Sequence, residues 1–115
     1  MKAKRYNSNG RYSQVVEYND TLYLSGITAR EGGDIKEQTA AVLKKIEEIL
    51  AEHGSDKSHL LTVNIFLKNI SDFAAMNEVY DAWVVKDCEP TRACVEAKLA
   101  DESLLVEIVV SGYRA

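Results

Sequence analysis

The stretch "TRACVEAKLADESLLVEIVVSGY", residues 91–113, contains two segments that alternate like β-strands. If these segments formed a hairpin, the register that matches their apolar faces would set Glu96 opposite Glu107. Like charges directly opposite each other destabilise a strand pair. We therefore predict that the two strands are not neighbours and that the final strand inserts elsewhere in the sheet.

The alternation in the first segment also predicts which side of that strand is buried. As an amphipathic antiparallel strand it would present a polar face, Arg92, Cys94 and Glu96, to water. Its core face would then comprise Thr91, Ala93, Val95, Ala97 and Leu99. An alternative for Arg92 is that its planar fork binds a carboxylate. Cys94 has no base at a suggestive spacing, so a pocket-lining role is favoured over a catalytic thiolate.

Upstream, the sequence predicts a hairpin and a long helix. Asn19-Asp20 separates two strand-like runs at residues 12–18 and 21–26, and a short run near residues 4–6 is predicted to add an edge strand. Asp34 and Glu37 form a capping-box pattern, and Gly54 is placed to end the helix. The helix has an apolar stripe with the 3.6-residue period, Val42, Leu43, Ile46, Ile49 and Leu50.

The central part of the chain predicts a buried strand and a second helix. In "LLTVNIFL", residues 60–67, Leu61, Val63, Ile65 and Leu67 alternate with Leu60, Thr62, Asn64 and Phe66. Ser71 and Asp72 are predicted to cap the second helix, which is over before Pro90. Its stripe is Phe73, Met76, Val79, Tyr80 and Trp83.

The predicted order is therefore β-β-β-α-β-α-β-β, an α+β domain spanning residues 1–115. Strand–helix–strand units place both helices on one face of a mixed six-stranded sheet. The opposite face, which includes Phe66, would lack a cover in a single chain. The pattern therefore hints at an oligomer.

Composition and charge argue against several classes of protein. The net charge of −4 and the absence of a basic cluster beyond Lys2, Lys4 and Arg5 disfavour nucleic-acid binding. No apolar leader or membrane-length apolar run is present, so we expect a cytoplasmic protein with no membrane partner. Two cysteines, Cys88 and Cys94, are expected to be free thiols.

Metal binding is not indicated by the cysteines and histidines. Cys88, Cys94, His53 and His59 form no ligand spacing typical of a metal site. Each histidine lies near the predicted end of the first helix, where a solvated side chain is expected. The sequence thus predicts no metal site.

Glu107 is the acid that stands out, because "LLVEIVV", residues 104–110, surrounds it with apolar residues. A carboxylate desolvated there must be paired, protonated or set at the edge of a cavity. One interpretation is a structural ion pair. The other is a carboxylate with a pKa raised by burial, suited to general acid–base catalysis near neutral pH.

Four segments in order resemble the YjgF or reactive-intermediate-deaminase (Rid) family, also known by the older label L-PSP endoribonuclease. They are residues 10–26, residues 65–83, the segment from Pro90 to Glu96, and the strand carrying Glu107. The likeness spans almost the whole chain and is greatest to a short, YoaB-like branch. Arg11, Ile27 and a shortened loop between Gly26 and Asp34 depart from the usual pattern.

The resemblance implies a chorismate-mutase-like fold that assembles as a homotrimer with clefts between subunits. It also implies an enamine/imine deaminase, a hydrolase that converts 2-aminoacrylate-type substrates to 2-keto acids and ammonia without a cofactor. Arg92 matches the arginine that binds the substrate carboxylate, and Glu107 matches the acid that activates water. The other matching positions line the pocket: Tyr12, Ser25, Gly26 and Cys94.

Two other functions remain open from the sequence. A non-catalytic protein would use the same inter-subunit cleft to hold a small carboxylate. An endoribonuclease is less well supported, because no histidine pair is placed for acid–base transfer and the acidic chain offers little to bind RNA.

Overall fold

The computed structural model describes residues 2–115 and contains two helices and a six-stranded sheet. Their order confirms the predicted β-β-β-α-β-α-β-β arrangement. Short 3-10 turns, Lys57–His59 and Ile70–Asp72, precede β4 and α2. The elements are β1 (Lys4–Ser8), β2 (Ser13–Tyr18), β3 (Thr21–Leu24), α1 (Ile35–Glu52), β4 (Leu60–Leu67), α2 (Phe73–Trp83), β5 (Thr91–Glu96) and β6 (Val106–Tyr113).

The strand order is β1-β2-β3-β6-β4-β5, with every pair antiparallel except β4 and β5. The last strand thus inserts between β3 and β4, and β4 separates it from β5. This confirms the prediction made from Glu96 and Glu107, which now lie on either side of β4 and do not face each other.

Two local predictions are confirmed in full. Asn19 and Asp20 have φ of 51° and 62°, the left-handed conformation that a tight hairpin between β2 and β3 requires. At the start of α1, Asp34 accepts a hydrogen bond from the Glu37 backbone N–H at 2.8 Å, and the Glu37 carboxylate accepts one from the Asp34 N–H at 3.0 Å. The predicted stripe of α1 is buried, and Gly54 has φ +76° just beyond the helix.

The start of α2 differs from the prediction. Asp72 occupies the N-cap position, but its side chain accepts no capping hydrogen bond. The chain enters the helix through a 3-10 turn, whose Ile70 N–H donates to the Glu96 carboxylate at 2.9 Å. A side chain from β5 therefore satisfies this backbone donor, which is a long-range contact that local sequence does not encode.

A register shift in β4 changes the face predicted for two of its residues. The pairing with β6 is irregular between Leu60 and Thr62, and Leu60 is buried while Leu61 is exposed. After this bulge, Val63, Ile65 and Leu67 are buried as predicted. The extra residue reverses the alternation at the start of the strand.

The predicted orientation of β5 was wrong. In the parallel register with β4, Arg92 and Cys94 pair with the core residues Val63 and Ile65 and so share the helix-covered face. Val95, predicted to face the core, is 48% exposed on the opposite face. The alternation of two faces along β5 was correct, but pairing with β4 decides which of those faces the helices cover.

The face opposite the helices has no cover in the single chain. Across its centre, Phe66 pairs with Val95 on one side and with Glu107 on the other. Tyr23, which pairs with Ser111 on the same face, is 51% exposed. We call this surface the open face; it confirms the uncovered sheet face predicted from the sequence. Among residues 2–115, no helix is both long and apolar enough to cross a membrane.

His59 is not the solvated residue that was expected. Its ring stacks on Tyr113 with centroids 4.6 Å apart, and its Nδ1 is buried without a hydrogen-bond partner. Asp56 approaches this nitrogen only to 4.0 Å. His53 packs edge-on against Tyr6. Both histidines therefore serve as packing groups, His53 at the end of α1 and His59 in the 3-10 turn before β4.

Candidate functional site

A cavity of about 260 Å³ lies where the first hairpin, the loop before α1 and the start of β6 meet. Four of the residues that line it were singled out from the sequence, Tyr12, Ser25, Gly26 and Glu107. The rest of the lining is Thr28, Arg30, Ala100 and Leu104. The cavity combines one carboxylate, one guanidinium and hydroxyl groups, and its size suits a small metabolite.

Backbone pairing brings the segment that follows β3 against β6. Ile27 and Ile108 exchange two backbone hydrogen bonds of 2.9 and 3.1 Å, which fixes Gly26 beside Glu107. A β-carbon at Gly26 would lie 2.9 Å from Glu107 Cδ and closer still to Oε2. Glycine is therefore required for the carboxylate to occupy this position.

The Glu107 side chain is half-buried at the edge of this cavity. Within residues 2–115 it forms no ion pair, so a structural ion pair inside the single chain is not supported. The sequence left three environments open for this carboxylate: paired, protonated or at the edge of a cavity. The structure shows the third. The carboxylate can meet water or a small ligand there.

The hairpin residues on the cavity wall are held by their own hydrogen bonds. Ser25 Oγ donates to the Ser13 carbonyl at 2.7 Å, which leaves its lone pairs for a ligand. The Tyr12 backbone N–H donates to Asn9 Oδ1 at 3.0 Å, and the Tyr12 ring is 58% exposed. An exposed aromatic ring on the rim of a cavity suits contact with a ligand or with a second subunit.

Arg92 does not line this cavity; it lies on the sheet face that α2 covers. Its guanidinium donates to Asn77 Oδ1 at 2.8 Å and lies 4.8 Å from the centroid of the Tyr80 ring. Phe73 provides a second ring at 5.7 Å. One hydrogen bond and two aromatic faces hold the planar group, while its remaining N–H donors are available. A separate surface cavity of about 440 Å³ lies here.

Cys94 follows Arg92 on the same face and is half-buried. Burial raises the pKa of its thiol, and the nearby Arg92 charge only partly opposes that effect. The protonated thiol is therefore favoured at neutral pH, which argues against a catalytic thiolate; Cys94 lines neither the cavity beside Arg92 nor the one beside Glu107. Cys88 is also a free thiol, as expected.

The predicted site residues thus fall into two groups in one chain. Tyr12, Ser25 and Gly26 lie with Glu107 at one cavity, whereas Arg92 borders the other. Strand registers put Glu107 on the open face and Arg92 on the helix-covered face. A single chain therefore does not bring the two charged residues together.

Several contributors were missed from the sequence. Asn77 positions the Arg92 guanidinium, and Thr28 and Arg30 line the Glu107 cavity. Asn77 is a polar residue beside the apolar stripe of α2, which was its only sequence signal. Among residues 2–115, no group of three His, Cys, Asp or Glu side chains is arranged to hold a metal ion.

Comparisons with known proteins agree on one family. The family model described as Endoribonuclease L-PSP matches residues 2–113. The RutC family protein YoaB of Escherichia coli K12 is 42% identical over 110 residues, covering 96% of each chain. A RutC family protein of Haemophilus influenzae is 40% identical over 114 residues, covering 96% of this chain and 97% of its own.

A solved structure of a YjgF family member from Neisseria meningitidis has the same fold. It superposes with a TM-score of 0.96 at 43% sequence identity and covers 100% of this chain and 97% of its own. The mixed six-stranded sheet with two helices on one face is therefore the fold of that family. Together, the family model, the relatives and this structure establish that the chain belongs to the YjgF/Rid family.

Proposed function

We propose that the protein is an enamine/imine deaminase whose sites form between subunits of a homotrimer. The observation that carries the proposal is the Glu107 carboxylate, half-buried at a cavity beside Gly26 with no ion-pair partner in the described chain. Arg92, held by Asn77 and Tyr80, supplies the second charged group. Family membership supports the same class of chemistry.

The reaction needs little from the protein because an imine carbon is already electrophilic. Arg92 binds the carboxylate of a 2-imino acid in its fork, and Glu107 accepts a proton as water adds to C2. That proton passes to the imine nitrogen, which gives a carbinolamine. Glu107 then moves the carbinolamine hydroxyl proton to the amino nitrogen as the carbonyl forms, and the C–N bond breaks to release ammonia. One water is consumed, and the products are a 2-keto acid and ammonia.

The other predicted residues shape the pocket. Tyr12 closes the rim, Ser25 offers hydroxyl lone pairs, and Gly26 leaves room for the Glu107 carboxylate. Cys94 lies beside Arg92 as a neutral thiol. Orientation and proton transfer account for the catalysis, so no step uses a metal or an organic cofactor.

Assembly follows from the separation of Arg92 and Glu107. A ring of three chains would cover the open faces and lay the edge strand β5 of one subunit against the Glu107 cavity of the next. Val95 and Tyr23 on the open face are apolar and exposed, as residues of a subunit interface are in an isolated chain.

Two alternatives use the same residues differently. A non-catalytic protein would bind a small carboxylate at Arg92 without turnover. A ribonuclease, which the family's older name suggests, would need an acid–base pair. The Glu107 cavity contains no histidine, and both histidines pack against tyrosines. The deaminase therefore has the better support.

A subunit-mixing experiment tests both the residues and the composite site. Arg92→Ala should be inactive in hydrolysing enzymatically generated 2-aminoacrylate, and Glu107→Gln should be slowed sharply but retain measurable activity. When equal amounts are mixed, unfolded and refolded together, random assembly gives both intact residues at about one quarter of all sites, counted over homotrimers and hybrid trimers together. Activity should therefore return to roughly that fraction of the wild-type value.

The outcomes separate the functions. Full activity in either single variant contradicts the assigned roles, and no recovery on mixing contradicts a site shared between subunits. If the wild type hydrolyses no imine but binds pyruvate in an Arg92-dependent way by calorimetry, the binding protein is favoured. Arg92-dependent cleavage of RNA by a nuclease-free preparation would favour the endoribonuclease.

A further inference from the structure

The loop between β3 and α1 carries Arg30 to the wall of the Glu107 cavity, although the hydrolysis of a simple imine gives this residue no role. Lys45, on α1, anchors the loop on both sides of Arg30. Its Nζ donates to the Thr28 carbonyl at 3.0 Å and pairs with the Glu31 carboxylate at 2.8 Å. The loop is therefore held in place and Arg30 is presented from a fixed backbone.

The residues that flank Arg30 reinforce this arrangement. Ala29 is fully buried, and its carbonyl accepts a hydrogen bond from the Gly32 N–H at 3.2 Å, which closes a turn around Arg30. Gly32 has φ +84°, a conformation that glycine adopts without strain. The turn directs Arg30 away from the core, so its exposed side chain borders the cavity.

Asp101 only loosely engages the Arg30 guanidinium. The two charged groups are 3.7 Å apart, longer than a charge-assisted hydrogen bond, and both are exposed. The Asp101 carboxylate is held instead by the Ser103 N–H at 2.8 Å and the Ser103 hydroxyl at 2.7 Å. These bonds, the backbone one first, lower the pKa of Asp101 with a smaller contribution from Arg30.

We propose that Arg30 selects substrates with a second, distal carboxylate, so that the protein prefers 2-imino dicarboxylates to neutral 2-imino acids. This inference rests on the proposed deaminase function and specifies its substrate class. Arg92 of a neighbouring subunit binds the carboxylate beside the imine carbon, and Glu107 faces that carbon. The distal carboxylate then pairs with the Arg30 guanidinium. The Asp101 carboxylate competes only weakly for the same group.

The charges at the cavity support an anion and not a cation at the distal position. Arg30 is the only cationic side chain among the residues of the described chain that line this cavity. A distal ammonium group would be repelled by Arg30, and an apolar group would leave its guanidinium unused. A carboxylate matches the planar donors of arginine in a bidentate pair.

The test compares two imines of equal chain length. An amino-acid oxidase generates 2-iminoglutarate from glutamate and 2-iminopentanoate from norvaline, and imine loss is measured for wild type, Arg30→Gln and Lys44→Gln. Lys44 is exposed on α1 and does not line the cavity, so its variant controls for the lost charge. Arg30→Gln should lose roughly tenfold in kcat/KM for 2-iminoglutarate.

The neutral imine should be hydrolysed within about twofold of the wild-type rate by Arg30→Gln, and Lys44→Gln should match the wild type on both substrates. Asp101→Asn removes the competing carboxylate and should raise kcat/KM for the dicarboxylate. Suppose that the wild type hydrolyses both imines. If Arg30→Gln then lowers kcat/KM equally for the two substrates, or lowers it for neither, the proposal is overturned while the deaminase function stands.

If the wild type hydrolyses 2-aminoacrylate but neither of these imines, the proposal is overturned while the deaminase function stands. If it hydrolyses none of the three, the deaminase function fails and binding decides about Arg30. Calorimetry would then compare 2-oxoglutarate with 2-oxopentanoate. Tighter binding of 2-oxoglutarate that is lost in Arg30→Gln supports the role of Arg30. Equal binding of the two keto acids, or no change in the variant, overturns it.

Discussion

Gly26 lies against the carboxylate of Glu107 so closely that no side chain fits between them. The three atoms nearest to a β-carbon built at Gly26 all belong to the Glu107 side chain: Oε2, Cδ and, at 3.2 Å, Cγ. The crowded atoms belong to a flexible side chain and not to the backbone. A larger residue at Gly26 would therefore move the carboxylate and leave the fold in place.

The first prediction concerns Gly26→Ala. This substitution would displace the Glu107 carboxylate from the position beside the imine carbon that the proposed reaction requires, so kcat/KM should fall by about 10²-fold. The thermal midpoint should change by only a few degrees, on the order of a one-kcal/mol effect or less. Steady-state kinetics and thermal unfolding would measure the two effects.

A double variant provides the control for this prediction. If Gly26→Ala acts through Glu107, adding it to Glu107→Gln should cause no further loss of activity. Additive losses would mean that Gly26 acts on the substrate in another way. A large drop in Tm would mean that the backbone, and not the carboxylate, gives way.

The second prediction concerns Asn77, which accepts a hydrogen bond from Arg92. In Asn77→Ala the guanidinium loses this support and samples other rotamers, so KM for the imino acid should rise about fivefold to twentyfold. The value of kcat should change little, because Asn77 orients the clamp and does not move a proton. Steady-state kinetics would separate the two constants.

The matched control for Asn77 is Glu78→Gln on the same helix. Glu78 forms an exposed ion pair with Lys36 and does not contact Arg92, so its loss should leave KM unchanged. An equal rise of KM in both variants would indicate a general effect on α2. An unchanged KM in Asn77→Ala would show that the aromatic rings alone position Arg92.

The third prediction concerns the pH dependence of stability. Glu17 is buried and accepts hydrogen bonds from Arg114 at 2.9 Å and from the Tyr6 hydroxyl at 3.1 Å. Burial alone would raise the pKa of Glu17, but these two bonds and the Arg114 and Lys4 charges outweigh it and lower the pKa below its ordinary value of 4.5. A lowered folded-state pKa means that the ionised form stabilises the fold.

That stabilisation is complete above the ordinary pKa and is lost as the pH falls through the lowered one. Glu17→Gln should therefore have a lower Tm than the wild type at pH 7, and the gap should narrow below about pH 4. Thermal unfolding monitored by circular dichroism from about pH 7 to pH 3 would measure it. A gap that widens on acidification would reverse the sign and contradict the role of Arg114.

The fourth prediction concerns the open face. Val109 lies opposite Asn64 at the centre of this face, so Val109→Asp would place a charge where the proposed trimer would bury an apolar surface. The variant should elute as a folded monomer in size-exclusion chromatography with light scattering. It should also lose imine hydrolysis, because the proposed sites need two subunits.

Ala40→Asp is the control, since Ala40 is exposed on the outer side of α1 and the substitution adds the same charge. It should remain trimeric and active. A wild-type protein that is monomeric at micromolar concentration would overturn the trimer itself. A Val109→Asp monomer with normal activity would place the complete site within one chain.

The sequence predicted those features that depend on neighbouring residues. The capping box of Asp34 and Glu37 needs only backbone and side-chain groups within one helical turn, and the Asn19-Asp20 hairpin needs two residues that tolerate positive φ. The separation of β5 from β6 followed from a pairwise argument about Glu96 and Glu107. Each of these features rests on a local geometric rule.

The errors arose where a distant partner decides the outcome. Alternation in β5 defined two faces, but only its parallel register with β4 decided that Arg92 and Cys94 lie on the helix-covered side. A bulge at Leu61 likewise reversed the start of β4. Asn77 was missed because its contact with Arg92 crosses from α2 to β5.

The sequence by itself determined the element order, the ends of α1, the turn of the β2–β3 hairpin, the family resemblance and the residues proposed for chemistry. Only the tertiary structure decided that Glu107, Gly26, Ser25 and Tyr12 share one cavity while Arg92 faces another way. Local hydrogen bonds and steric limits depend on residues that are adjacent in the chain, so they can be predicted from the sequence. The face that a strand presents, and the cavity that a loop residue such as Arg30 reaches, depend on strand registers and packing between segments far apart in the chain.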